Sequence, residues 1–131
     1  MPTTSSFDYA IIRVVPYVER EEFINIGAIL FCRTRRFLAA QIALDKERLS
    51  VLAPHLKLEL LLAELNLIPE ICDGAGPIGQ LPQAERFHWL VAPRSTIIQI
   101  SPVHCGLCDD PAAALDKLIE TMVRLKAGEK G

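Results

Sequence analysis

The chain has 131 residues, half of them hydrophobic, and a formal net charge of −2. That length fits one domain and leaves no room for two ordinary ones. The acidic balance argues against a general nucleic-acid binder, which needs surplus Lys and Arg on one face, and leaves room for a local basic site. No apolar run reaches membrane-spanning length, since the longest, residues 26–32, is strand-sized.

The first residues contain no basic region followed by an apolar stretch, so no signal peptide is expected and the expected location is the cytoplasm. The four cysteines should be free thiols there unless they hold a metal. A single domain over 1–131 is expected, with frayed ends at 1–6 and 127–131.

Residues 9–15 are rich in β-branched side chains and stop at Pro16, which predicts the first strand. A short charged turn follows at 17–22. Residues 23–32 form a second apolar run in which Gly27 marks a bulge or a close backbone approach. A basic turn at 33–36 leads to a third strand at 37–43. Connections this short predict an antiparallel meander.

The pattern then turns helical. Asp45 is placed to cap a helix, with Leu44 and Leu49 as a hydrophobic staple. Pro54 ends that helix and opens the next. Leu56, Leu60, Leu61 and Leu65 follow helical spacing, and Leu58 and Leu62 widen the stripe. This second helix should be largely buried and should end near Leu67, before Pro69. A Gly/Pro loop covers 73–81. Pro82 opens a short helix to about Leu90, which Pro93 breaks. Residues 96–100 read as a fourth strand and 101–108 as a compact loop. Asp110 then caps, and Pro111 opens, a last helix with an apolar stripe of Leu115, Leu118, Ile119, Met122 and Val123. The order β-β-β-α-α-α-β-α predicts an α+β fold, with helices packed on a mostly antiparallel sheet of about four strands.

Four groups of residues could carry chemistry. Gly74, Gly76 and Gly79 have dinucleotide-fingerprint spacing. The segment before them reads as a helix end rather than a strand, and Pro77 removes a donor, so a connector is the preferred reading. His104, Cys105 and Cys108 form H-C-G-L-C, the spacing of a zinc knuckle or a redox pair. No second ligand pair accompanies them, which favours two small thiols in a turn; neither a metal nor any other cofactor is expected. Glu19, Glu21 and Glu22 could hold Mg²⁺ or act as acid and base, but Arg20 sits among them and such a turn is more often a solvated edge.

Residues 85–96, E-R-F-H-W-L-V-A-P-R-S-T, concentrate the only Trp with a His and two Arg. Arg86 and Arg94 could grip an anion with the hydroxyls of Ser95 and Thr96. Trp89 could stack on a base or a peptide side chain. The competing reading buries Trp89 as a core anchor and pairs Arg94 with an internal carboxylate. No nucleophile elbow is present.

Three ordered motifs resemble the bacterial family catalogued as domain of unknown function 3037. They are F-D-Y-A-I-I-R-V-V-P-Y-V-E-R-E-E-F-I-N-I-G-A-I-L-F-C, then E-R-F-H-W-L-V-A-P-R-S-T, then S-P-V-H-C-G-L-C-D-D-P. The resemblance implies a small stand-alone protein. Its signature positions here are Arg13, Glu19, Arg20, Glu21, Asn25 and Gly27; then Arg86, Trp89, Arg94 and Ser95; then Ser101, Pro102, His104 and Gly106. It implies that Cys105 and Cys108 are filler around His104 and Gly106, which favours a site of Glu, Asn, Arg and His. It also implies a toxin-kinase-like protein as genomic neighbour, and hence a protein partner.

The reading that follows is a binding or regulatory module for a protein partner or an anionic ligand, using Arg86, Trp89, Arg94, Ser95 and Asn25. One alternative is an enzyme, a phosphoryl-substrate hydrolase or nuclease-like protein, with Glu21 and His104 as acid and base. Another is a structural homo-oligomer, of which a homodimer is the simplest form. The enzyme reading is the less favoured, because the sequence assembles no catalytic group by itself.

Overall fold

The computed structural model describes residues 4–93 and 97–124. Five strands form one antiparallel sheet: β1 (Ser5–Val14), β2 (Ile24–Cys32), β3 (Phe37–Ile42), β4 (Ile98–Ile100) and β5 (His104–Cys108). The helices are α1 (Lys46–Leu52), α2 (Leu58–Cys72), the single turn α3 (Gly76–Gly79), α4 (Gln83–Val91) and α5 (Pro111–Leu118), which runs on as a π-helical turn over Ile119–Val123. The fold is α+β, as the element order predicts.

The sheet runs β3-β2-β1, and the outer edge of β1 is shared. β4 pairs with its Ile12 to Val14 half and β5 with its Ser5 to Tyr9 half. Both faces of the sheet are covered. On one, Ile12, Ile26, Ile29 and Phe31 meet Leu49 of α1, Leu61, Leu65 and Ile68 of α2, and Phe87 and Leu90 of α4. On the other, Phe7, Ile11, Ala28, Leu30 and Cys32 meet Leu115, Ile119 and Val123. Alternation along a strand is what sends successive side chains to different layers.

β2 breaks that alternation. Ile12 pairs with Gly27 and Arg13 with Asn25, so Ile26 is an extra residue. This is a β-bulge, and it shifts the phase of the strand by one. Ile24 and Ile26 before it, and Ile29 and Phe31 after it, therefore all reach the same core. Gly27 sits inside the bulge because nothing larger fits: a Cβ there would lie 2.5 Å from the Gln41 carbonyl oxygen.

Several elements differ from their sequence-based outlines. α2 begins at Leu58 rather than at Pro54, and α3 is a helical turn inside the expected 73–81 loop. β1 begins at Ser5, inside the segment expected to fray, because β5 pairs with it there. Residues 104–108 are a strand rather than part of a loop, for the same reason. α2 runs through Pro69 to Cys72. Proline costs the Leu65 carbonyl its donor, but continuing the helix adds Ile68 and Cys72 to the buried row begun by Leu61 and Leu65.

Gly27→Ala should destabilise the domain by about 2–3 kcal/mol, as overpacking against backbone does, measured as a lowered urea midpoint at constant slope. An unchanged midpoint would show that the bulge can yield.

Candidate functional site

α4 carries the segment richest in candidate side chains, and its two faces divide them. Phe87 and Leu90 are buried, with Phe87 5.4 Å from the Phe31 ring centroid. Arg86 is committed to backbone. Its Nε donates to the Leu81 carbonyl at 2.8 Å, and one terminal nitrogen donates to the Cys72 carbonyl at 2.8 Å. The guanidinium thus closes the C-terminal end of α2, where carbonyls lack intrahelical partners. Trp89 faces outward and is 38 % exposed. Arg94, Ser95 and Thr96 lie outside the described residues.

Beside Trp89 lies an open groove of about 930 Å³. Leu67, Ile68 and Ile71 of α2 form one wall, Trp89, Ala92 and Pro93 another, and Ile98, Gln99 and Ile100 of β4 the floor; among the described residues Glu64 is the one carboxylate in its lining. A shallower depression of about 430 Å³, formed by Leu81, Ala84, Glu85 and His88, lies on the other side of Trp89. The indole therefore separates two concave surfaces.

α2 supplies the unexpected part of this surface. Leu61, Leu65, Ile68 and Cys72 face the core. Leu60, Glu64, Leu67 and Ile71 form an adjacent row at helical spacing. In that row Leu60 is 64 % exposed and Leu67 53 % exposed. The helix is apolar over two adjoining faces and the sheet covers only one. A helix expected to be largely buried thus presents leucines to solvent. Doubled aliphatic residues such as Leu60–Leu61 and Leu67–Ile68 were the available signal, since one narrow stripe cannot hold both members of each pair.

The remaining candidates are placed apart. Asn25 donates from Nδ2 to the Met122 carbonyl at 3.0 Å, under the π-helical turn. Its cross-strand partner Arg13 lies over the Phe23 ring at 4.2 Å. Arg13 Nε and Asn25 Oδ1 are buried without a partner among the described residues, one a donor and the other an acceptor. His104 pairs with Tyr9, and the two rings are 5.4 Å apart. Tyr9 and Arg13 are four positions apart on β1, which is ~13 Å of strand, and His104 and Asn25 flank β1 on opposite sides. Glu21 lies beyond the far end of β1, with φ of 55°. Glu21, Asn25 and His104 therefore do not converge on one site. Near Glu21, Arg20 is paired with Glu22 at 2.9 Å.

The strand conformation of residues 104–108 also separates the sulfur ligands. Cys105 and Cys108 are an odd number of positions apart and point to opposite faces. His104, Cys105 and Cys108 cannot bind one ion in this arrangement, and no cluster of three metal-ligating side chains occurs among the described residues. Cys105 donates to Asp8 Oδ1 at 3.4 Å, and this hydrogen bond and the Asp8 charge raise its thiol pKa. Burial and the neighbouring Asp73 push the Cys72 thiol up to about 12, so it stays protonated. Two of the three loop glycines have their donors engaged: the Gly74 N–H reaches the Ile71 carbonyl at the end of α2 and the Gly79 N–H the Ala75 carbonyl. A phosphate cradle would need such donors free.

The model of the family described as protein of unknown function (DUF3037) matches residues 9–123. No curated protein and no solved structure matches the chain.

Arg86→Ala should cost about 2 kcal/mol, because buried or half-buried carbonyls lose a charged donor; thermal unfolding would show it, and an unchanged Tm would free Arg86 for a binding role. Asp8→Asn should lower the Cys105 pKa toward its ordinary value, since a carboxylate beside a thiolate opposes ionisation. Alkylation of Cys105 at mildly alkaline pH, followed by peptide mapping, should then be faster than in the parent protein; an equal rate would remove Asp8 as the cause.

Proposed function

The chain belongs to that family, and we propose that it works as a binding module whose recognition surface is the groove between α2, the end of α4 and β4. The observation that carries this reading is the second apolar face of α2. Leu60 and Leu67 are exposed beside a groove of about 930 Å³ with Trp89 on its wall. Exposed leucines scattered singly need no explanation, but a row of them continuous with a concave apolar surface marks an interaction site. A half-exposed Trp at the edge of such a surface supplies large contact area with little side-chain entropy to lose.

Two further placements favour a protein partner over an anionic ligand or a reaction. The Arg86 guanidinium is held on the Cys72 and Leu81 carbonyls and lines neither concave surface beside Trp89. The acid–base pair Glu21 and His104 is divided by the stretch of β1 from Tyr9 to Val14. The module would act in the bacterial cytoplasm, and a toxin-kinase-like protein is the partner to try first.

A photo-crosslinking residue at position 67 should capture one defined partner in cells of the source organism, while the same residue at Val51, which is exposed on α1, should not. Equal capture at both positions, or capture at Val51 alone, would rule the groove out. Leu67→Asp should abolish the capture by a second crosslinker at position 60 and shift the Tm by less than a degree or two, since surface substitutions change stability by about 0.5 kcal/mol or less.

A further inference from the structure

The chemistry of the occupant can be read from the same surface, and this step rests on the groove being the recognition site. We propose that the groove receives an amphipathic helix of a partner protein that flanks its apolar side chains with Lys or Arg.

Shape supplies the first half. Leu60, Glu64, Leu67 and Ile71 run along α2 over eleven positions, which is about 16 Å of helix axis. Beyond Trp89 lies the second, separate depression that Leu81 lines. A surface this long and this apolar suits an elongated segment with several anchors better than a compact ligand. Helix-in-groove recognition places such anchors at i, i+3 or i+4 and i+7.

Charge supplies the second half. α2 contains Glu59, Glu64 and Glu70 and no Lys or Arg. Glu64 lines the groove and Glu85 the neighbouring depression, and no Lys or Arg lines either among the described residues. Carboxylates at the border of an apolar surface favour basic residues at the border of its partner and penalise acidic ones. The same charge argues against a second copy of this chain. In a two-fold arrangement a surface meets itself, and Glu64, in the middle of the leucine row, would face the Glu64 of the other copy.

Trp89 is the only tryptophan, so its emission reports the groove directly. The probe is a peptide of 15 residues, the length of α2, with Leu at i, i+3, i+4 and i+7 repeats and Lys elsewhere. Its counterpart carries Glu in place of Lys. The Lys peptide should blue-shift Trp89 emission and bind at least roughly tenfold more tightly than the Glu peptide, with affinity falling as salt rises. Glu64→Lys should remove most of that preference, whereas Glu47→Lys, on the exposed side of α1, should leave it intact. Equal binding of both peptides, or an equal effect of the two substitutions, would overturn the basic partner while leaving the groove in place. No emission change with either peptide would overturn the helical occupant, and crosslinking at position 67 would then say whether the groove itself survives. Concentration-dependent self-association that Leu67→Asp abolishes would make the occupant a second copy and overturn the inference.

Discussion

β1 is paired along both edges, by β2 over Asp8 to Val14 on one and by β4 and β5 on the other, while side chains on both of its faces are buried, and the other elements are arranged around that requirement. One edge is met by β2, next in sequence. The other is met by residues about ninety positions away, in two pieces. Between β4 and β5 the ladder is carried by a single serine. The Ser101 N–H donates to the Ile11 carbonyl at 2.9 Å, and the Ser101 hydroxyl accepts from the Ile11 N–H at 2.8 Å. That hydroxyl in turn donates to the Pro102 carbonyl. An unpaired backbone donor in this position would cost as much as a lost hydrogen bond in the core. β5 can then lie flat beside Phe7 because Gly106 has no side chain: a Cβ there would come within 2.5 Å of the Phe7 ring.

Local chemistry made most of the fold legible. Asp45 and Asp110 cap α1 and α5 through the expected side-chain bonds, to the N–H groups of Arg48 and Ala112. Pro111 opens α5, and Gly27 marks the bulge. What escaped was set by distant partners. A five-residue strand of His, Cys, Gly, Leu and Cys has little intrinsic strand preference, and it exists because β1 has an edge to fill. The extension of α2 past Pro69 was hidden for a similar reason: the cost is local and visible, whereas the gain lies in packing Ile68 and Cys72 against the sheet.

The candidate site was legible in part. Trp89 stands at the groove, and the segment around α4 was the right neighbourhood. Its companions came from elsewhere, from Leu60 and Leu67 on α2 and from β4, because burial cannot be assigned to one of two apolar faces until the helix is docked. Many residues that carry the family resemblance hold the fold together. Arg86 closes α2, Ser101 bridges β1, Gly27 and Gly106 admit close backbone contacts, and Asn25 ties β2 to the π-helical turn. Of the signature residues that are described, Trp89 alone lines the groove.

The bulge in β2 bears on how such a domain can vary in length. Loops absorb an added or lost residue because nothing downstream must change direction. β2 cannot, since its two halves are already out of step by one, and each half sends its own pair into the same core: Ile24 and Ile26 before the bulge, Ile29 and Phe31 after it. Sliding the strand to restore a regular ladder would turn one pair of these side chains into the opposite layer, where α5 has already filled the space. The chain can therefore drift freely in length at its turns, while the stretch from Ile24 to Cys32 behaves as a fixed ruler against which the two helical layers are aligned.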